Sequence, residues 1–248
     1  MDTADETARI RAVLRDQGDA ERAEYERRYL KSDLVHYGVP VRVVRETCRS
    51  SARTRDEVLA LADSLWDVTE DGRPVHETRM AAIEVLVRGT RLLEPADLAA
   101  AERLIRDSAS WVYVDGLAEK VAGRLVLRFP PLAATLDAWS ADPYMWIRRS
   151  ALLALLPGVR TGSPDLERVS RYGDALIEER DFFIRKALGW VLRELSKKDP
   201  AWVGSWLAPR TSRVSGVTFR EAVRHLPAET AEPLATAYRS RGAGRGRR

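Results

Sequence analysis

The sequence predicts an all-α protein, a curved solenoid of about six helical repeats. Three observations lead to this fold class. Apolar residues recur at every third or fourth position along most of the 248-residue chain, which is the period of an amphipathic helix. Glycines and prolines interrupt this pattern at regular intervals, as loops between helices do. Similar helical segments also return every 33 to 37 residues, which is typical of a repeat array.

Capping residues and prolines set the predicted helix boundaries in chain order. Residues 56–68 form one predicted helix, because Val58, Leu61 and Leu65 recur on one face. A proline in the first turn starts further predicted helices at Pro95, Pro164 and Pro200. The run 121–129 contains clustered branched apolar residues and resembles a strand. Because it continues a helical pattern, we interpret it as a buried helix end.

Predicted helix breaks follow the same logic. Glycine and proline disfavour the helix interior, and they cluster at five places between the periodic segments. These places are residues 72–74, 129–131, 142–143, 157–158 and 209. The loops predicted at these places are short, so consecutive helices are expected to pack as neighbours.

An arginine marks the start of successive apolar segments. It occurs at Arg42, Arg79, Arg148, Arg185 and Arg220, at intervals of 37, 69, 37 and 35 residues. The interval of 69 contains two repeats if Asp115 takes the missing position. Ankyrin and tetratricopeptide signatures are missing, so the helix pairs look like HEAT repeats, whose second helices line the concave side. The arginines either brace neighbouring repeats or face a ligand on that side.

The charge of the chain is concentrated at one end. The formal net charge is +4, but the last ten residues contain five arginines and no acid. We therefore predict one repeat domain over residues 1–238 and an Arg/Gly-rich, disordered tail over residues 239–248. Without this tail, the net charge of the repeat domain is close to zero. Nucleic-acid binding by the domain therefore depends on where its arginines lie and not on their number.

Several classes of protein are disfavoured by what the sequence lacks. It has no 18-residue apolar run, no glycine-rich nucleotide motif, and an acidic, polar N-terminus. Cys48 is the one cysteine, and the three histidines stand far apart in sequence, at His36, His76 and His225. We therefore expect a cytoplasmic monomer that uses neither a metal nor a cofactor.

One repeat carries an acid where the others carry arginine, and it is the candidate site. Trp111 and Asp115 are four residues apart and share a helical face. Stacked repeats are expected to bring Arg149 and Trp190 onto adjacent helices. The alternative is structural: a tryptophan that anchors the core and an aspartate bonded to an arginine of the neighbouring repeat. Lys186, Trp190 and Arg193 share a face of a later helix.

Four segments carry a resemblance to the DNA alkylation repair family, whose AlkD-like members are HEAT-repeat DNA glycosylases. They are DFFIRKALGWVLRELSKKDP (181–200), DPYMWIRRSALLALL (142–156), SWVYVD (110–115) and ERRYLKSDLVHYGVPVRVVR (26–45). The resemblance covers roughly residues 20 to 226. Its most specific piece is KALGWVLRE within the first segment.

The resemblance implies a role for each matching residue. The family's catalytic acid and tryptophan fall on Asp115 and Trp111, and the second tryptophan and the arginine of the cleft fall on Trp190 and Arg149. The tyrosine near the DNA backbone and the arginine after the second tryptophan fall on Tyr29 and Arg193. Repeat positions add Arg148, Arg185 and Lys186 as expected DNA contacts, and Arg149 is expected to contact DNA as well. The sequence departs from the family's type member at Ser110, where that member has a tryptophan.

These roles predict a monofunctional DNA glycosylase acting on double-stranded DNA. The family removes cationic alkylpurines such as 3-alkyladenine and 7-alkylguanine without flipping the base. A cationic base leaves as a neutral molecule, so one carboxylate that stabilises an oxocarbenium-like sugar suffices, and Asp115 supplies it. Lys120 is the one lysine near Asp115, which disfavours a Schiff-base lyase. Two alternatives stay open: a non-catalytic scaffold that binds DNA or protein, and a self-resistance glycosylase for bulky adducts of an alkylating antibiotic.

Overall fold

The fold is described by a computed structural model that covers residues 1–49 and 52–243. Its N-terminal helices are α1 (Thr3–Asp16), α2 (Ala20–Leu30), α3 (Val41–Thr47), α4 (Arg55–Trp66), α5 (His76–Gly89) and α6 (Leu98–Ser108). A two-stranded antiparallel hairpin, β1 (Thr69–Glu70) and β2 (Arg73–Pro74), connects α4 to α5. The predicted break at 72–74 therefore lies in this hairpin, and Gly72 in its turn has a positive φ of 72°.

The C-terminal helices follow after a continuous central helix. That helix consists of α7 (Trp111–Asp115), a π-helical segment (Gly116–Ala122) and α8 (Gly123–Arg128). Next come α9 (Ala133–Ser140), α10 (Met145–Leu153), α11 (Leu156–Thr161), α12 (Leu166–Leu176) and α13 (Phe182–Ser196). The last are α14 (Pro200–Leu207), α15 (Gly216–Ala222) and α16 (Ala228–Ala243). Short 3₁₀ turns occur at Pro95–Asp97, Pro130–Leu132 and Ala208–Arg210.

These helices form two layers, as a repeat of helix pairs requires. The second helix of each pair belongs to an inner layer, in which α3 packs on α5, α5 on the central helix, that helix on α10, α10 on α13, and α13 on α15. The first helices, α1, α4, α6, α9, α12 and α14, form the outer layer. The apolar stripes of both layers face one another and form the core. The all-α repeat fold is thus confirmed.

Local sequence signals explain where the helices begin and end. Thr54 and Glu57 form a reciprocal capping box at the start of α4, so the predicted helix over 56–68 is confirmed with shifted ends. The run 121–129 is helical as far as Arg128, which confirms that it is a helix end. It is buried only in part, because Leu127 is exposed. The break predicted at 157–158 is displaced, because α10 ends at Leu153 and α11 begins at Leu156. Pro157 lies in the first turn of α11, where its missing N–H costs no hydrogen bond.

The C-terminal boundary also differs from the prediction. Helix α16 continues through Ala243, so residues 239–243 extend a helix rather than belong to a disordered tail. Residues 244–248, the rest of the predicted tail, lie outside the described residues. Within the part of the chain that the structure describes, no helix is both long and apolar enough to cross a membrane.

A close helix contact sets the position of the later repeats. Gly189 lies on α13 where α15 crosses it, and a Cβ there would come within 2.8 Å of the Glu221 side chain and 3.2 Å of the Thr218 Cα. The glycine therefore lets the two inner helices approach closely. The following residue, Trp190, lies next to this contact on α13.

Candidate functional site

The central helix changes its winding directly after Asp115. Residues Trp111–Asp115 are α-helical, and the π-helical turns begin at Gly116. A π-helix makes i→i+5 hydrogen bonds and is frequent at functional sites. Gly116 lies against Ile83 of α5, and a Cβ at this position would be 3.0 Å from Ile83 Cγ2. Asp115 therefore lies where the helix widens, one residue before its close contact with the neighbouring repeat.

Asp115 forms a two-pronged ion pair with Arg149 of the next repeat. Arg149 Nε donates to Oδ1 and Nη2 donates to Oδ2, both at 2.8 Å. The Arg149 side chain is 3% exposed and the Asp115 side chain 20%. Arg149 Nη1 also donates to the Phe183 carbonyl oxygen of α13. The Arg149 guanidinium is thus held from both sides, by Asp115 of the preceding repeat and by Phe183 of the following one. The Asp115 carboxylate keeps one edge exposed to solvent. The structural alternative predicted for Asp115, a bond to an arginine of the neighbouring repeat, describes this geometry.

A cleft of about 380 Å³ opens on the inner layer in front of Asp115. We call it the Asp115 cleft. Its walls come from α3, α5, the central helix, α11 and α13, so it extends along the inner layer from the first repeat to the fifth. Trp190, Glu119, Lys120 and Arg160 line it beside the acid. Arg160 pairs with Glu119 and lies over the Trp190 ring, 5.9 Å from its centroid. The structure therefore brings Asp115, Arg149 and Trp190 together, as the repeat spacing predicted.

Trp111 faces a row of aromatic side chains. It is half-buried against the core, and its ring meets Tyr29 of α2 edge-on, with centroids 6.4 Å apart. Tyr25, one turn earlier on α2, stacks on Tyr29 at 6.2 Å. Both tyrosines are about two thirds exposed. Trp111 and Tyr29 are thus neighbours, and Tyr25 is an exposed partner that the sequence analysis missed. Its spacing of four from Tyr29 was the available signal.

Four basic residues predicted to contact DNA already have partners within the protein. Arg148 is largely buried, donates to the Asp142 and Pro143 carbonyl oxygens and pairs with Glu179 at 3.0 Å. Arg185 donates to the Glu179 carbonyl oxygen. Lys186 and Arg193 share one carboxylate, that of Glu221, and each keeps an exposed fraction of its side chain. The structure thus engages these four cations in contacts between and within repeats.

A second concave surface carries more arginine. Its cavity of about 670 Å³ is lined by Arg49, Arg53, Arg88 and Arg91 together with apolar side chains. We call it the basic pocket. Arg88 connects it to the Asp115 cleft, because Arg88 pairs with Glu84 and donates to the Arg45 carbonyl oxygen, and both of those residues line the cleft. The sequence analysis missed this pocket, since its arginines come from two different repeats and follow no common period.

The histidines are closer in space than their separation in sequence suggested. The His36 and His76 rings stack with centroids 4.4 Å apart and an angle of 14°. Burial lowers the pKa of each imidazole to about 4, and His76 contributes to the shift at His36. Glu26 of α2 offers a carboxylate oxygen within 4.8 Å of both ring nitrogens. The expectation that the histidines stand apart is therefore wrong for this pair, because the loop after α2 carries His36 to the first residue of α5.

Comparisons with known proteins agree with this architecture. A family model described as DNA alkylation repair enzyme matches residues 10–226. Among solved structures, the chain is similar to one described as a predicted DNA alkylation repair enzyme from Enterococcus faecalis, with a TM-score of 0.74 and 22% identity over 86% of this chain and 98% of that one. It is also similar to AlkD2 from Streptococcus mutans, with a TM-score of 0.59 and 17% identity over 83% of this chain and 100% of that one. No curated protein matches the sequence. At these identities the two structures establish a shared fold.

Proposed function

Because the chain belongs to the DNA alkylation repair enzyme family, we propose that it is a monofunctional DNA glycosylase. Its substrates are cationic alkylpurines in double-stranded DNA, with 3-alkyladenine and 7-alkylguanine as the main examples, and it leaves the base unflipped. The observation that carries the proposal is Asp115, which a buried guanidinium holds in place while its carboxylate borders a cleft.

The chemistry of such a lesion requires little from the protein. When the bond between C1′ of the sugar and the purine nitrogen breaks, its electron pair moves to the nitrogen and neutralises the cationic base. Positive charge then develops on the sugar, as in glycoside hydrolysis. The base leaves without being protonated, so a general acid is unnecessary. A single carboxylate next to C1′ stabilises the developing cation, and Asp115 has this role in the proposal.

Water completes the reaction. Its oxygen bonds to C1′, and its proton passes to the carboxylate, which acts as general base. An ionised carboxylate accepts about four hydrogen bonds, and Arg149 uses two of these positions. The exposed edge of the Asp115 carboxylate can therefore still accept a hydrogen bond from the attacking water. Arg149 acts in this scheme as a positioning residue, since its buried side chain fixes the orientation of the carboxylate.

Two tryptophans supply electron-rich faces. A cation over an indole ring gains about 0.5–2 kcal/mol, depending on how well it is desolvated. Trp190 borders the Asp115 cleft and already lies under the Arg160 guanidinium. Trp111 is one turn before Asp115 on the same helix. In the proposal both indoles stabilise the cationic sugar or base, and the neighbouring Tyr29 contacts the DNA backbone.

DNA phosphates require cations with accessible groups. Lys186, Arg193, Arg148 and Arg185 remain proposed contacts, and the exposed fraction of Lys186 and Arg193 supports the first two best. The basic pocket adds Arg49, Arg53, Arg88 and Arg91, which lie next to the Asp115 cleft. Duplex DNA that reaches the cleft would place phosphates along this pocket, since phosphates recur every few ångströms along each strand.

The decisive experiment is single-turnover release of 7-methylguanine from methylated duplex DNA. The proposal requires excision by the wild-type protein and strongly slowed excision by Asp115→Asn. Lys120 lines the same cleft, so borohydride trapping is run in parallel. A hydrolytic enzyme gives no covalent adduct, whereas a lyase that uses Lys120 as a Schiff base does. Duplexes with bulky adducts test the self-resistance alternative, for which Ser110 in place of the family tryptophan provides the reason.

The competing proposal is a scaffold that binds DNA or protein without catalysis. The Asp115–Arg149 ion pair favours it, because a purely structural role needs the same two hydrogen bonds. The two proposals differ in their predictions for methylated DNA. A scaffold binds it without releasing base, and substitution at Asp115 changes its stability but no reaction rate.

A further inference from the structure

The junction between α2 and the rest of the protein contains a cluster of three potential metal ligands. Glu26 lies on α2, His36 on the following loop, and His76 at the first position of α5. One ligand atom from each residue lies within 4.8 Å of the other two. The backbone holds this arrangement, because the His76 N–H donates to the Val35 carbonyl oxygen at 2.8 Å. Three separate segments thus present donor atoms to one point.

The polar atoms of this cluster lack the partners that buried atoms normally have. Both His36 ring nitrogens and Glu26 Oε2 are buried and have no hydrogen-bond partner among the described residues. Glu26 keeps only its other oxygen engaged, in an ion pair with Arg22 at 2.6 Å. An unsatisfied buried polar group costs about 1–3 kcal/mol. One ring nitrogen of His36 and Glu26 Oε2 can face the same ligand, and two unsatisfied buried atoms so close together indicate that one is missing.

The state of the side chains suits a metal cation. A histidine ligates a metal through the lone pair of its neutral imidazole, and both ring nitrogens of His36 are free of other partners among the described residues. His76 Nδ1 lies 2.7 Å from the Tyr113 hydroxyl. A hydrogen bond of this kind to one ring nitrogen orients a histidine that ligates a metal through the other. His76 therefore presents Nε2 as its ligand atom.

We propose that Glu26, His36 and His76 bind a divalent transition metal of the zinc type. Two nitrogens and one carboxylate oxygen are the donor set that Zn²⁺ accepts, at about 2.0–2.2 Å from each. Ligand atoms around one tetrahedral ion are about 3.4 Å apart at these bond lengths. The present spacing is up to 4.8 Å, and the lone pairs of the two stacked rings lie in nearly parallel planes. Binding one ion therefore requires one imidazole to turn out of the stack and the Glu26 side chain to follow.

The metal gives α2 an anchor that its sequence does not provide. None of the residues of α2 is buried, although helices normally dock through an apolar face. The same helix carries Tyr25 and Tyr29, and Tyr29 contacts Trp111. Tyr113, which touches His76, lies on α7 two residues after Trp111. A metal at this junction thus fixes α2 and its tyrosines against the helix that carries the candidate site.

The test is metal binding by the full-length protein after dialysis against EDTA. Titration with Zn²⁺ is followed by calorimetry, and titration with Co²⁺ by its visible absorption. We expect one equivalent per chain and a rise in Tm on Zn²⁺ addition. His36→Asn and Glu26→Gln should each weaken Zn²⁺ binding by at least about 10-fold. The matched controls are His225→Gln, an exposed histidine outside the cluster, and Glu24→Gln on α2.

Hydrogen exchange gives a second, independent readout. Zn²⁺ should slow amide exchange throughout α2 in the wild-type protein and leave it unchanged in His36→Asn. His36 is only half-buried, so this variant is expected to fold, and its Tm in EDTA checks that. If the wild-type protein binds no Zn²⁺, or binds it equally after His36→Asn, the histidines are only a stacked pair that packs α2, and the proposal is overturned.

Discussion

Arg149 donates two parallel hydrogen bonds of 2.8 Å to the Asp115 carboxylate, and the Arg149 side chain is almost fully buried. The two residues lie on different repeats, 34 positions apart. Bidentate guanidinium–carboxylate pairs are stronger and more directional than single contacts. The pair therefore has two consequences that can be separated: it holds two repeats together, and it holds a carboxylate at the wall of a cleft.

Replacing Asp115 with asparagine tests both consequences. The change removes the negative charge, so excision of 7-methylguanine should slow by about 10²–10³-fold. It also leaves the buried Arg149 charge without its counterion, so stability should fall by about 1–3 kcal/mol. Single-turnover kinetics and a thermal melt measure the two effects. Asp63→Asn, in an exposed ion pair with Arg103 on the outer layer, is the control. Excision at the wild-type rate would leave Asp115 with a structural role alone.

Arg149→Lys separates charge from geometry. Lysine keeps the positive charge but cannot form the bidentate pair of hydrogen bonds, so the Asp115 carboxylate loses its fixed orientation. We expect slower excision together with nearly unchanged DNA affinity, because Arg149 is 3% exposed and has little surface to offer a phosphate. A binding isotherm and single-turnover kinetics on the same preparation make the comparison. A large loss of affinity with an unchanged rate at saturation would assign Arg149 to DNA binding instead.

Substitutions of Trp111 and Trp190 should slow excision less than Asp115→Asn does. Each indole contributes about 0.5–2 kcal/mol as a cation–π partner, which corresponds to about 2- to 30-fold in rate. Trp111→Ala also removes packing against the core and should lower the Tm, so Trp190→Phe is the cleaner variant. Combining Trp111→Ala with Asp115→Asn should give a less than additive effect, because both act on one sugar. Full additivity would indicate that they act on separate steps.

The basic pocket predicts a specific dependence of DNA binding on salt. Each lost phosphate contact lowers the slope of log K against log salt by about 0.9. Arg88→Gln with Arg91→Gln should therefore weaken duplex binding and lower that slope by up to about 2. Arg103→Gln, an exposed arginine on the outer layer, removes one charge elsewhere and should leave the slope unchanged. Equal slopes for all variants would place the DNA on another surface.

Asp137 predicts how stability depends on acid. The Arg168 guanidinium, followed by the Tyr172 hydroxyl, holds the pKa of Asp137 at about 2, below its ordinary value near 3.8. A carboxyl with a lowered pKa in the folded state stabilises it above its ordinary pKa, and this contribution is lost as the pH falls from about 4 to about 2. Asp137→Asn should therefore lower the Tm at pH 7 but have little effect near pH 2. A Tm difference that is independent of pH would contradict the ion-pair role.

Much of the fold was predictable because helical period and helix caps are local properties. The capping box of Thr54 and Glu57 and the aspartate caps at Asp165 and Asp199 are visible in short windows of sequence. The break predicted at 157–158 lies a few residues earlier, at 154–155. Proline favours the first turn of a helix, so Pro157 marks the start of α11 and the break precedes it.

The candidate site was predictable in part. The repeat period placed Asp115 where other repeats carry arginine, and it placed Arg149 and Trp190 on adjacent helices. It did not indicate that Arg148 and Arg185 bind carbonyl oxygens of nearby loops. Nor did it indicate that Lys186 and Arg193 share Glu221. An arginine that braces a repeat and one that faces a ligand have the same spacing, so burial alone distinguishes them.

The sequence by itself determined the all-α repeat fold, the order of its helices and the position of the unusual acid, because each follows from local helical patterns and from their return every 33 to 37 residues. Only the tertiary structure decided what those residues contact. Asp115 and Arg149 meet across 34 residues, and the two stacked histidines, His36 and His76, meet across a loop and a whole repeat. The π-helical turns after Asp115 likewise depend on the repeats on either side. Such contacts are set by the angle and distance at which helices pack, and these depend on the shapes of all the buried side chains together.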